Sequence, residues 1–319
     1  MPQLRRKLKR LARGLLGRAD PVILMYHRVA DVAIDPWGLA VSPENFAAQM
    51  QALKRVRKPV PLDFMVGEML AGRPTAGTVA ITFDDAYLDV LRNAKPVLKA
   101  LDIPATVFVV TGHLGRKTGF WWDRLAEAAL GNGRPRTTPL PSLLIENKRR
   151  EIEIAFKSAD AEALHLALWH AIRLLQPEQR DAAVEEVAAA FGAVEIIETP
   201  IMTHDEIREL IDGGLISVGA HSVSHPSLPS LSIAEQRAEI GGSKEELEAI
   251  VGQPVPRLAY PFGDYDSHSE AAARDLGFEY AVSVETGVVT DPAARFRLPR
   301  HDIKNWTGRE FAKRLRWLN

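Results

Sequence analysis

The sequence predicts an α/β fold, a mainly parallel sheet or barrel, and three observations carry that expectation. Short apolar runs rich in β-branched or aromatic residues recur along the chain, and helix-like stretches lie between them. The residues best suited to chemistry stand directly after the runs, where parallel strands gather ligands at their carboxyl ends. With 319 residues, 46% hydrophobic and 25% charged, the chain can bury a full core as one large domain with an insertion, or as two domains.

In chain order, strands are expected at Val22–Tyr26, Val79–Phe83, Ala105–Val110, Ile216–Ala220, Arg257–Tyr260, Tyr280–Val284 and Phe296–Leu298. Helices are expected at Pro43–Arg55 with Ser42 as cap, Tyr87–Leu101, Thr203–Asp212, Ile233–Val251 and Ser267–Leu276. From about 112 to 199 the alternation gives way to a mostly helical segment, with a Gly-Asn-Gly-Arg-Pro break at 131–135 and Ala-rich stretches at 159–172 and 181–190. It reads as an insertion or helical lid on a domain spanning 21–319. Trp121 and Trp122 within it could form an aromatic wall for a sugar, with buried core packing as the alternative.

Residues 1–18 carry seven Lys or Arg and no Asp or Glu, which leaves 33 basic against 41 acidic residues beyond them. A general nucleic-acid binder would not be built this way. Leu4, Leu8, Leu11 and Leu15 would form one stripe on a basic helix, so residues 1–20 read as a basic amphipathic segment and 4–18 as a peripheral contact with the inner membrane. A basic tail, or a helix packed on its own domain, is the alternative. No run reaches the roughly 18 apolar residues of a membrane span, and the expected location is the cytoplasm. There is no cysteine, so any metal must be held by His, Asp or Glu.

Four features carry chemistry. Asp84-Asp85 follows the Val79–Phe83 run, and two carboxylates there need a positive partner, for which a metal is suited. Adjacent side chains diverge, so one can ligate while the other acts on the attacking water. A turn or helix cap is the other reading of such a pair. His221 and His225 follow the Ile216–Ala220 run at a spacing that puts both imidazoles on one face of a helical turn. Two His and one Asp leave coordination positions open, which suits hydrolysis. The Tyr260-Pro261-Phe262-Gly263 loop could aim a backbone N–H at a developing oxyanion, or be a packed turn. His27 ends the first run, where an imidazole can act as general acid.

With these residues the sequence resembles the polysaccharide deacetylases, the NodB-homology carbohydrate esterases of family 4. Thr82-Phe83-Asp84-Asp85 is similar to the family's first motif and His221-Ser222-Val223-Ser224-His225 to its second. The resemblance implies a distorted (β/α)7-type barrel, Asp84 as catalytic base, Asp85, His221 and His225 as metal ligands, and the Phe262 backbone as oxyanion donor. It implies one divalent metal, zinc first, with cobalt, nickel or iron as alternatives.

Two departures stand out. Where the third motif has an Arg, this chain has Ala259, and Arg300 is the candidate to replace it. Met25-Tyr26-His27 on the first strand resembles the acid motif as it stands in circularly permuted poly-N-acetylglucosamine deacetylases, which makes His27 the acid and His301 its rival. Tyr260, Trp121, Trp122, Arg300 and His301 are expected around the substrate. That substrate is expected to be an N-acetylated amino sugar in a saccharide, glycolipid or lipid-linked precursor. Deformylation of a lipid-linked amino sugar, or sugar binding by a decayed enzyme, are the competing functions.

Overall fold

The computed structural model describes residues 19–131, 160–191 and 198–318. The basic segment 1–18 and the 132–135 part of the Gly/Pro break lie outside these residues. Among the described residues, no helix is long and apolar enough to cross a membrane.

The core of the fold is a curled, all-parallel sheet in the order β10-β1-β5-β6-β7-β8-β9, with β4 added beside β5. Its strands are β1 (Val22–Tyr26), β4 (Lys58–Pro59), β5 (Thr78–Phe83), β6 (Ala105–Val109), β7 (Ile216–Ala220), β8 (Arg257–Ala259), β9 (Tyr280–Val282) and β10 (His301–Asp302). A separate two-stranded ladder joins β2 (Arg28–Val29) to β3 (Ala40–Val41). Helices cover the outside: α1 (Pro43–Val56), α2 (Leu62–Leu70), α3 (Lys95–Leu101), α7 (His204–Ile211), α8 (Ile233–Val251), α9 (Ser267–Asp275) and α10 (Gly308–Leu315). Ser42 caps α1 through its side chain, as its place in the sequence suggests.

Alternation along the strands separates two apolar layers. Leu24, Ile81 and Val107 pack into the main core under the helices, whereas Ile23, Ala80 and Phe108 face a second cluster inside the curl. The interior is tight: a Cβ on Gly219 of β7 would stand 2.5 Å from the Phe108 ring.

Two expected elements differ. The stretch from Tyr87 opens into a π-turn at Val90–Ala94 before α3, where Pro96 has no N–H to continue the helical ladder. Phe296–Leu298 touches β9 through a single bridge, Val282 to Leu298, and Pro299 stops it; the strand that closes on β1 is β10.

The described part of the helical segment comprises α4 (Trp121–Leu130), α5 (Ala161–Ile172) and α6 (Pro177–Phe191). These pack with Tyr87, Val110 and Ile201 into an apolar cluster of their own. Beside it two histidines are sealed in. Burial, with the Arg116 charge, lowers His113 from 6.5 to about 3, and burial lowers His165 to about 4. The unfolded chain takes up these protons near 6.5, so this stability is fully present above that pH and is lost as the pH falls toward those values. By pH 5 each histidine should cost roughly 2 kcal/mol. The urea midpoint should therefore drop between pH 7.5 and 5, and the drop should shrink in His113→Phe and His165→Phe.

Candidate active site

Three loops leave the carboxyl ends of β5, β7 and β8. The Asp84 N–H continues the ladder to the Tyr26 carbonyl at 3.0 Å, and the chain then turns through Asp85 and Ala86 at φ of 74° and 60°. After β7, Ser222 and His225 stand at φ of 63° and 54°, and the His225 N–H donates to Ser222 Oγ at 2.9 Å. After β8, Phe262 stands at φ 58° and Gly263 at 72°, where a Cβ would meet Val284 at 2.3 Å. Five of the six described non-glycine residues with positive φ thus lie in these loops. Such backbone is held by its surroundings, and Glu239 supplies part of that hold by accepting from the Val223 and Ser224 N–H groups at 3.0 and 2.8 Å.

The loops bring Asp85, His221 and His225 together, all buried, with one donor atom from each inside a 4.8 Å span. Asp85 Oδ1 is 3.6 Å from both His221 Nε2 and His225 Nε2, and it accepts no hydrogen bond among the described residues. His221 Nδ1 meets the Ala259 carbonyl at 2.8 Å, so it must carry the proton and leave the Nε2 lone pair facing Asp85. Burial, outweighing the pull of Asp84, lowers His221 to about 4, and burial with the His221 charge pushes His225 well below the ordinary range. Neutral imidazoles and an orphaned buried carboxylate oxygen are a donor set that fits a divalent cation.

Asp84 faces a different partner. Arg300 Nη1 and Nη2 donate to its two carboxylate oxygens at 2.7 Å each, while Nε donates to the Ser283 carbonyl at 2.8 Å and Nη1 also reaches Thr82 Oγ1 at 3.2 Å. Burial alone would raise the Asp84 carboxyl; the Arg300 charge, then His221 and the Arg300 hydrogen bonds, outweigh it and hold Asp84 at about 2. Arg300 is therefore the cation that neutralises Asp84. It is 0% exposed, which removes it from the substrate-facing group.

A cavity of about 280 Å³ opens over the site, lined by His27, Trp122, Tyr260 and Phe262 together with Asp84, Asp85, His221 and His225. His301 is outside it. His301 pairs in register with Leu24 and Asp302 with Met25, so His301 shares the outward face with Leu24 while Asp302 faces the cavity. Trp121 is buried in the helical cluster against Trp122 and Trp169 and does not line the cavity, which is the packing alternative. Tyr260 is buried with its hydroxyl on the Phe296 carbonyl. Trp37, Trp169 and Lys304, which also line the cavity, carry no motif in the sequence. Trp37 and Trp169 lie 4.7 Å apart between ring centres, and Lys304 Nζ holds the Trp37 carbonyl at 2.8 Å.

The pair makes a sharp stability test. Arg300→Met would strand a buried carboxylate and should cost about 3–5 kcal/mol, whereas Asp84→Asn with Arg300→Met should cost clearly less than the two single changes added. Urea denaturation of all four proteins measures this coupling.

The site's loops fall within residues 71–281, which match the family model described as polysaccharide deacetylase; His27 and Arg300 lie outside that match. A putative polysaccharide deacetylase, YxkH of Bacillus subtilis, is 21% identical over 87% of this chain and 69% of the relative. Poly-beta-1,6-N-acetyl-D-glucosamine N-deacetylase of Staphylococcus aureus is 33% identical over 92 residues, 28% of this chain and 32% of that enzyme. Among solved structures, the Streptococcus pyogenes deacetylase PplD superposes with a TM-score of 0.59 at 18% identity, covering 93% of this chain and 98% of that one. IcaB from Ammonifex degensii gives 0.60 at 20% identity over 92% and 96%. With a matched family model spanning most of the chain and the motif loops inside it, this protein belongs to the polysaccharide deacetylase family.

Proposed function

We propose that this protein hydrolyses the N-acetyl group of an amino sugar within a saccharide, using a divalent cation held by Asp85, His221 and His225. The observation that carries the reading is the Asp84–Arg300 pair beside three convergent buried ligands: a carboxylate kept ionised next to a cation site is what a general base needs. The partial match to the staphylococcal poly-N-acetylglucosamine enzyme supports an N-acetylglucosamine polymer as substrate class.

A cation in that site, zinc or alternatively cobalt, nickel or iron, supplies Lewis acidity toward the amide carbonyl and toward water. Asp84, held by Arg300, takes a proton from the attacking water. The Phe262 backbone N–H is the donor for charge developing on the carbonyl oxygen. His27 gives a proton to the departing nitrogen, so amide and water leave as carboxylic acid and amine. Burial lowers the His27 pKa, and the Asp84 and Asp302 carboxylates oppose that by favouring the imidazolium. His27, just after β1, is where a permuted arrangement would put the acid. Trp122 supplies an apolar face for the sugar ring.

Acetate release from N-acetylglucosamine oligomers with zinc tests the reading. Asp84→Asn should lose activity while retaining zinc, and Asp85→Ala should lose both. His27→Ala should fall by about 100-fold or more with zinc retained. His301→Ala should stay within a few-fold, about what a residue outside the cavity permits. Formate from an N-formyl substrate, without acetate from the N-acetyl one, would move the reading to deformylation. Sugar binding without either product would move it to a binding protein.

A further inference from the structure

The described helices of the insertion reach into the strained loops through two arginines. Arg180 on α6 is buried, with Nε donating to the Leu175 carbonyl at 3.0 Å inside the insertion. Its Nη1 donates to the His225 carbonyl at 2.9 Å and to that of Ser224 at 3.4 Å. Arg173, just after α5, pairs with Asp264 in the loop after β8 and lies over the Phe262 ring at 4.7 Å. Asp264 also accepts from Ser227 Oγ at 2.7 Å, which ties the loop after β8 to the one after β7.

His225 needs such a hold. Its φ of 54° is a left-handed conformation that a non-glycine residue keeps only where its surroundings hold it, and donors to its buried carbonyl belong to that hold. Without them the backbone can relax to the right-handed region, and the imidazole would leave its place beside Asp85. We propose that the helical insertion is a clamp on the ligand loops, with Arg180 the positioning residue that keeps His225 in its left-handed, metal-facing conformation. The proposal rests on the reading of Asp85, His221 and His225 as metal ligands.

Electrostatics alone predicts the opposite sign. A guanidinium near a cation site repels the cation, so removing only its charge would tighten metal binding. A clamp makes the same removal weaken it. The neighbouring Asp181 provides the control, because it anchors the same helix to Arg116 at 3.1 Å and to Arg124.

The zinc dissociation constant, measured without substrate by competition with a chromophoric chelator, decides between these. Arg180→Met should weaken zinc binding by about 10–100-fold, the scale of lost support behind a metal ligand, and Arg180→Lys, which keeps the charge, by an intermediate factor. Asp181→Asn should stay within about 3-fold, since it loses only partly exposed ion pairs. Zinc binding in Arg180→Met as tight as in the unaltered protein, or tighter, overturns the clamp. Equal weakening by Asp181→Asn assigns the effect to a loosened insertion and also overturns it. If Arg180→Met does not fold, the Lys and Asn variants carry the comparison alone: weakening in Arg180→Lys beyond that in Asp181→Asn supports the clamp, and its lack overturns it. No zinc binding in the unaltered protein overturns the metal reading, and the clamp with it.

Discussion

Two adjacent carboxylates sealed inside a barrel must each be compensated, and the way this is done organises the site. Arg300 compensates Asp84 with a buried two-point contact. Asp85 receives nothing equivalent: burial, with the neighbouring Asp84 charge, raises its pKa well above the ordinary value, and its Oδ1 has no described donor. The asymmetry separates the roles. A carboxylate already satisfied by guanidinium can exchange a proton without losing its place, whereas an orphaned one beside two neutral imidazoles has the donor set a divalent cation would fit.

Arg300 can do this because of where its strand lies. β10 closes on β1 and β1 pairs β5, so a long side chain beginning one residue before β10 crosses the curl to the end of β5. The backbone carbonyl of Ala259 on β8, which does not depend on the side chain there, fixes the His221 tautomer. The cation that pairs with Asp84 comes from the residue before β10, and the carboxylate from the end of β5. The strain in the three loops has a similar origin. Side chains that must converge from separate strand ends need sharp turns, and here most of those turns fall on residues with a Cβ.

What the sequence made legible follows from periodicity and position. β1, β7 and α8 have the bounds their apolar runs and caps announce, since Val22–Tyr26 and Ile216–Ala220 are continuous and Ser232 caps Ile233–Val251. Asp84, Asp85 and His221 stand out in the sequence because each follows such a run directly, and His225 because it is spaced four residues from His221. The π-turn at Val90–Ala94 was hidden by an unbroken helical pattern, although Pro96 marked it. Trp37 and Trp169 were illegible for a different reason. Each lies in a segment without chemical motif, and only the packing of a loop at 30–39 against α5 brings their rings together at the cavity.

The two acid candidates show how far local register reaches. By sequence order His301 follows the third motif and His27 precedes the first, and nothing in that order chooses between them. Alternation separates their positions, once the pairing of β10 with β1 is known. His301 opposite Leu24 must share its face, and that face belongs to the helix-side core; His27 shares the parity of Ile23 and Met25, which point into the curl toward Asp84. A one-residue slip of β10 against β1 would bring His301 to the curl side and leave His27 in place, since the pairing of β1 with β5 sets that side. It would also turn Arg300 away from Asp84, so the register that keeps His301 outside the cavity is the one that keeps the Asp84 carboxylate paired.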